Sequence, residues 1–119
     1  MPSAAAEAIV DAGPAAPWLV MVHGNSQDRR AFSGVVPTYR RDHRLLLVDL
    51  PGHGASHAIP GPYGVVEHAG AVAAAMDAAG ARRAHFWGTH TGASVALLLA
   101  ARKPGRFASL VLELSLIHI

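Results

Sequence analysis

The sequence is 119 residues long, 51% apolar and only 15% charged, which is enough hydrophobic side chain for one packed domain and too much for a disordered chain. It has no cysteine, which excludes disulfide frameworks, thiolate nucleophiles and cysteine-based zinc sites. The formal charge is +2, and the arginines fall in scattered pairs (Arg29 and Arg30, Arg40 and Arg41, Arg82 and Arg83), so no nucleic-acid partner is expected.

Residues 1–16 are rich in Ala and Pro and read as a lead-in, in which only Ala8-Ile9-Val10 has the make-up of a short edge strand. Trp18 to Val22 is a continuous apolar run of strand length, ended by His23-Gly24-Asn25-Ser26. Such runs mark strands buried on both faces. Asp28 to Tyr39 is helix-sized, with Ser26 or Asp28 as a cap. The second apolar run, Leu45 to Val48, is closed by Asp49-Leu50-Pro51-Gly52-His53-Gly54. Val65 to Ala79 is an alanine-rich helix stopped by Gly80. Ala84 to Trp87 is the third strand, closed by Gly88-Thr89-His90-Thr91-Gly92. Thr91 to Lys103 forms a helix ended by Pro104-Gly105, and Ser109 to Leu112 is the fourth strand, leading into Glu113. Alternating strands and helices predict an α/β fold, a mostly parallel sheet with helices on both faces. No apolar run is long enough to span a membrane, and the N-terminus lacks a signal-peptide pattern, so a soluble, cytoplasmic protein with no membrane partner is expected.

Each Gly/His cluster follows a strand, so the clusters converge on one sheet edge, where open α/β sheets bind ligands. Gly88-Thr89-His90-Thr91-Gly92-Ala93 has the form of a nucleophile elbow. Small residues flank a strained central residue whose side chain is lifted to the N-terminus of the next helix, and here that residue is His90. His23, His53 and His90 share the edge. They lack helical His-x-x-x-His spacing and a carboxylate partner, so no metal is expected. Gly52-His53-Gly54 lacks the third glycine of a dinucleotide loop, and no cofactor is expected.

Together, His23-Gly24-Asn25-Ser26, the turn from Asp49 to Ser56 and the elbow resemble the α/β-hydrolase superfamily, over about Trp18 to Glu113. The nearest flavour is its esterases, epoxide hydrolases, haloalkane dehalogenases and carbon–carbon bond hydrolases. The resemblance implies that the strand at 18–22 lies between those at 45–48 and 84–87, with 109–112 outermost. It implies an oxyanion hole from the backbone N–H groups of Asn25 and Thr91, and structural turn roles for His23, Gly24, Asp49, Gly52, Gly54, Gly88 and Gly92. The substrate would be a small ester, epoxide or related molecule, with no cofactor. The alternative is a non-catalytic member of the fold that binds a small ligand over His90.

Two departures qualify the resemblance. The family places Ser, Asp or Cys at the elbow, so His90 is left as a nucleophile forming a transient acyl-imidazole, as a base, or as the occupant of a dead site. Ser94 lies a helical turn further on and cannot replace it. The family's base histidine and acid come after later strands, so residues 17–113 are expected to be the N-terminal part of a larger domain, inactive alone. Residues 114–119 resemble a peptide translated from sequencing-adapter DNA, and His118 is accordingly not read as the family's histidine. Glu113, at a strand end, reads as an ordinary polar residue rather than a catalytic acid.

Overall fold

The computed structural model describes residues 3–61 and 63–113, so the expected tail at 114–119 lies outside the described residues. The strands are β1 (Ala6–Ile9), β2 (Trp18–Val22), β3 (Arg44–Val48), β4 (Ala84–Thr89) and β5 (Phe107–Glu113). They form one five-stranded sheet of order β1-β3-β2-β4-β5. β2 pairs in parallel with β3 and β4, and β4 with β5, which is the order expected.

The sheet is covered on both faces. Helices α2 (Val65–Ala79) and α3 (Thr91–Arg102) pack over Val20, Val22, Leu46, Val48 and Phe86, all fully or nearly buried. The alternate residues Leu19, Met21, Leu45 and Leu47 pack against Phe32, Val36 and Tyr39 on the other face. This two-sided burial is why β2 and β3 read as unbroken apolar runs rather than alternating ones. α2 is capped at its start by Gly64, whose N–H donates to Glu67 Oε1 (2.8 Å), and at its end by Gly80 in a left-handed conformation (φ 80°), so both expected bounds hold.

Two expectations change. Residues 28–39 are not one helix. Asp28 caps a short 3-10 turn over Arg29–Phe32 by accepting from the Arg30 N–H (2.9 Å), and a separate single-turn helix, α1 (Val36–Tyr39), follows. Gly34 costs backbone entropy in a helix interior, and Pro37 cannot donate the N–H that a continuous helix needs. Splitting the segment also lets Phe32 and Tyr39 both reach Trp87, with ring centroids at 5.8 and 5.9 Å. The lead-in joins the sheet: β1 pairs antiparallel with β3, from Ala6 opposite Val48 to Ile9 opposite Leu45, starting two residues and ending one residue earlier than the sequence suggested.

Candidate active site

The loops after β2, β3 and β4 meet at one edge of the sheet, and backbone contact rather than side-chain packing holds them together. A Cβ on Gly92 would collide with the Val22 carbonyl oxygen and stand 2.5 Å from that of His23, and one on Gly88 would stand 2.5 Å from the Gly92 carbonyl oxygen. Only glycine lets the start of α3 approach the end of β2 this closely.

Between these glycines the chain must reverse from strand to helix, and His90 takes the bend at φ 53° and ψ −119°. A conformation so unfavourable for a residue with a Cβ stores about 1–3 kcal/mol, sustained by the packing around it. The His90 N–H donates to the Glu113 carbonyl (2.9 Å) and its carbonyl accepts from the Ala93 N–H (3.0 Å), so the bend is anchored on both sides. The imidazole is exposed and makes no capping bond to α3. Thr91 opens α3, so its N–H belongs to the first-turn amides without an intrahelical acceptor. Ser94 is exposed a turn deeper in the helix.

The loop after β2 runs beside this bend: a Cβ on Gly24 would stand 2.8 Å from the Cβ of His90. His23 fixes the loop from below. Its imidazole is fully buried, its Nε2 accepts from the Leu50 N–H (3.0 Å), and its Nδ1 lies 2.7 Å from the Gly24 carbonyl. Because a backbone N–H can only donate, Nε2 is bare and Nδ1 carries the proton, which makes this neutral tautomer the one that fits. Burial pushes the His23 pKa below the usual histidine range, which keeps it neutral. His68 on α2, also buried, is lowered for the same reason, and the nearby His53 adds to it.

Asp49 closes the loop after β3. It is buried, and its carboxylate accepts from the Arg29 N–H (2.7 Å), the Arg29 guanidinium (2.5 Å) and the Ala55 N–H (3.1 Å). Gly54, at φ 49°, lies so close that a Cβ would stand 2.7 Å from the carboxylate. Ser56 donates to the Asp49 carbonyl (2.7 Å) and accepts from the Ala5 N–H (2.8 Å), tying the lead-in to this turn. Gly52 (φ 84°) packs under Tyr63. Asp49 thus organises backbone and is turned away from the His90 cleft, whose lining does not include it.

That cleft, of 260 Å³, is lined by Gln27, Phe32, Trp87, Thr89, His90 and Glu113 among others. A larger one, of 440 Å³, lies between α2 and α3 with Glu67, Asp77, Arg102 and Lys103 in its lining, but none of its residues has the strained backbone found at His90, so the smaller is the better candidate. Glu113 accepts from the Trp87 indole N–H (3.0 Å), a structural bond across the β4–β5 pair. His23 and His53 stand 5.2 Å apart between ring centroids, yet both His23 nitrogens are engaged. Among the described residues, no group of three His, Asp or Glu side chains is placed to hold a metal ion. None of the helices among them is long and apolar enough to cross a membrane. Sequence reasoning missed Gln27 and Trp87. Trp87 enters the cleft on the strand face that it shares with Thr89, whereas Gln27 reaches it through the left-handed turn at Ser26, which no spacing marks.

A family model described as the alpha/beta hydrolase fold matches residues 17–118. The chain belongs to that family. It is 38% identical over 96 residues to a pimeloyl-[acyl-carrier protein] methyl ester esterase of Methylococcus capsulatus, covering 81% of this chain and 36% of the relative. Among solved structures, a hydrolase from Pseudomonas aeruginosa is 33% identical with a TM-score of 0.81, covering 92% of this chain and 41% of the other. The enol-lactonase from Burkholderia xenovorans is 29% identical with a TM-score of 0.83, covering 89% and 41%. This alpha/beta hydrolase chain therefore spans a quarter to about a third of the length of the first curated relatives it matches.

Proposed function

We propose that the full-length protein hydrolyses a small carboxylic ester at the turn between β4 and α3, with His90 acting as a general base in the cleft. The observation that carries this reading is the strained backbone of His90, held at the N-terminus of α3 with Gly24 against its Cβ. Strain of this kind is retained where it positions a reacting group. The relatives support the ester class, since one is named for a methyl ester and another for an enol-lactone, itself an ester.

In this reading the substrate carbonyl lies over His90 with its oxygen toward the backbone N–H groups of Asn25 and Thr91. Negative charge develops on that oxygen as a tetrahedral intermediate forms. Amide donors and the positive end of α3 stabilise it without having to reorganise, and one such donor is worth about 3–4 kcal/mol of barrier. The exposed imidazole would take a proton from the attacking water and return it to the alcohol oxygen as the intermediate collapses and the acyl C–O bond breaks, leaving the carboxylic acid and the free alcohol. A second reading, a binding protein of the same fold, is favoured by one observation: no hydrogen bond among the described residues orients the His90 imidazole as a triad would.

Kinetics of the full-length protein with p-nitrophenyl butyrate separate the two. Saturable turnover is the expected result, and saturable binding of butyrate esters with no turnover above buffer would establish the second reading.

A further inference from the structure

We propose that Gln27 is a positioning residue for this site: it grips both peptide groups flanking Gly24 and thereby aims the Asn25 N–H at the reacting oxygen. The inference rests on the oxyanion role proposed for Asn25, and it adds the group that sets that amide's direction.

Gln27 makes two bonds to one residue. Its side-chain Oε1 accepts from the Gly24 N–H (3.2 Å), and its own backbone N–H donates to the Gly24 carbonyl (3.3 Å). The Gly24 carbonyl and the Asn25 N–H belong to the same peptide plane and point in opposite directions, so holding the first fixes the second. His23 Nδ1 holds that same carbonyl from the buried side (2.7 Å), and Gln27 holds it from the cleft side. The Gly24 N–H lies in the preceding peptide plane, whose His23 carbonyl packs against Gly92 at the start of α3. Gln27 therefore couples the two planes that join the loop to the His90 turn.

The loop needs such a clamp. Ser26 sits at φ 63°, a left-handed conformation uncommon for a residue with a Cβ, and it is the link that turns the Gln27 side chain back onto Gly24. Without the side-chain bond the turn at Ser26 can relax and carry with it the Gln27 backbone N–H that holds the Gly24 carbonyl, so the Asn25 amide shifts as well. Gln27 lines the cleft beside His90 and is solvent-exposed, so substituting it leaves the core intact. Its amide orientation follows from the bond: the Gly24 N–H requires an acceptor, so oxygen and not nitrogen faces it.

The test compares Gln27→Leu and Gln27→Glu in the full-length protein. Leucine keeps bulk and removes the acceptor, whereas glutamate keeps an acceptor oxygen at the same reach. An amide that is misaimed weakens the transition state more than the bound ester. Gln27→Leu should accordingly lower kcat for p-nitrophenyl butyrate by about ten- to a hundredfold with KM changed less than about threefold. Gln27→Glu should recover most of that loss. Amide hydrogen exchange at Gly24 should be at least about tenfold faster in Gln27→Leu and near the parent rate in Gln27→Glu. An unchanged kcat in Gln27→Leu, a rise in KM alone, a Gln27→Glu variant as poor as Gln27→Leu, or Gly24 exchange indifferent to both variants overturns the inference. A full-length protein that turns over no ester ends the proposed function instead, and Gly24 exchange still decides whether Gln27 clamps the loop.

Discussion

His90→Ala in the full-length protein is expected to lower kcat for p-nitrophenyl butyrate by about two to four orders of magnitude, the span that a positioned acid or base supplies. KM should move little, because the proposed base acts on the attacking water rather than holding the ester. The variant should fold as well as the parent or better, since alanine at φ 53° carries the same backbone strain and the exposed ring makes no capping bond to lose. His90→Ser is the companion measurement. It preserves the glycine-framed turn and the amides of Asn25 and Thr91 while supplying the serine that the family resemblance implies at the elbow. With His90 as the base, the serine variant is also slower than the parent. A silent parent that gains ester hydrolysis as His90→Ser would instead establish the binding reading.

His23→Leu should destabilise the full-length protein by about 3 kcal/mol. It strands the buried Leu50 N–H without an acceptor and takes one donor from the Gly24 carbonyl. Chemical denaturation would show this as a lower midpoint at unchanged slope. The parent should also lose stability in mild acid, and the sign follows from the shifts. His23 and His68 have folded-state pKa values below 6.5, so between that value and their folded pKa the unfolded chain binds more protons than the native one. Their contribution to stability is complete above about pH 6.5 and is lost as pH falls below it. The structural reason is direct for His23: protonating Nε2 sets one donor against another at the Leu50 N–H. His23→Gln should reduce the slope of stability against pH in that window, and an unchanged slope would contradict the buried, neutral assignment.

The elements legible in the sequence are those set by burial and steric fit. β2 and the Leu45-to-Val48 stretch of β3 are apolar throughout because both faces are covered, and the spacing of Gly88 and Gly92 around His90 is legible because only residues without a Cβ fit there. The extent of β1 was not legible. Ala6 to Ile9 is too short and too small-sided to show a period, and it is held by pairing with β3 and by the Ser56 bond to Ala5. The break inside 28–39 was written in Gly34 and Pro37 but is outweighed by helix-favouring neighbours unless the aromatic contacts to Trp87 are known. Gln27 was invisible for a different reason. Its contact with Gly24 and the role proposed for it depend on Ser26 adopting a left-handed turn that no local propensity announces.

In the proposed site an acyl oxygen placed over residue 90 falls between the amides of Asn25 and Thr91. The most direct measurement is a crystal structure of the full-length protein with butaneboronic acid, whose tetrahedral boronate mimics the intermediate of ester hydrolysis. The expected result is a boronate over residue 90 with one oxygen within about 3.1 Å of both amide nitrogens. A boronate bound elsewhere, or an Asn25 N–H pointing away from it, would contradict the account.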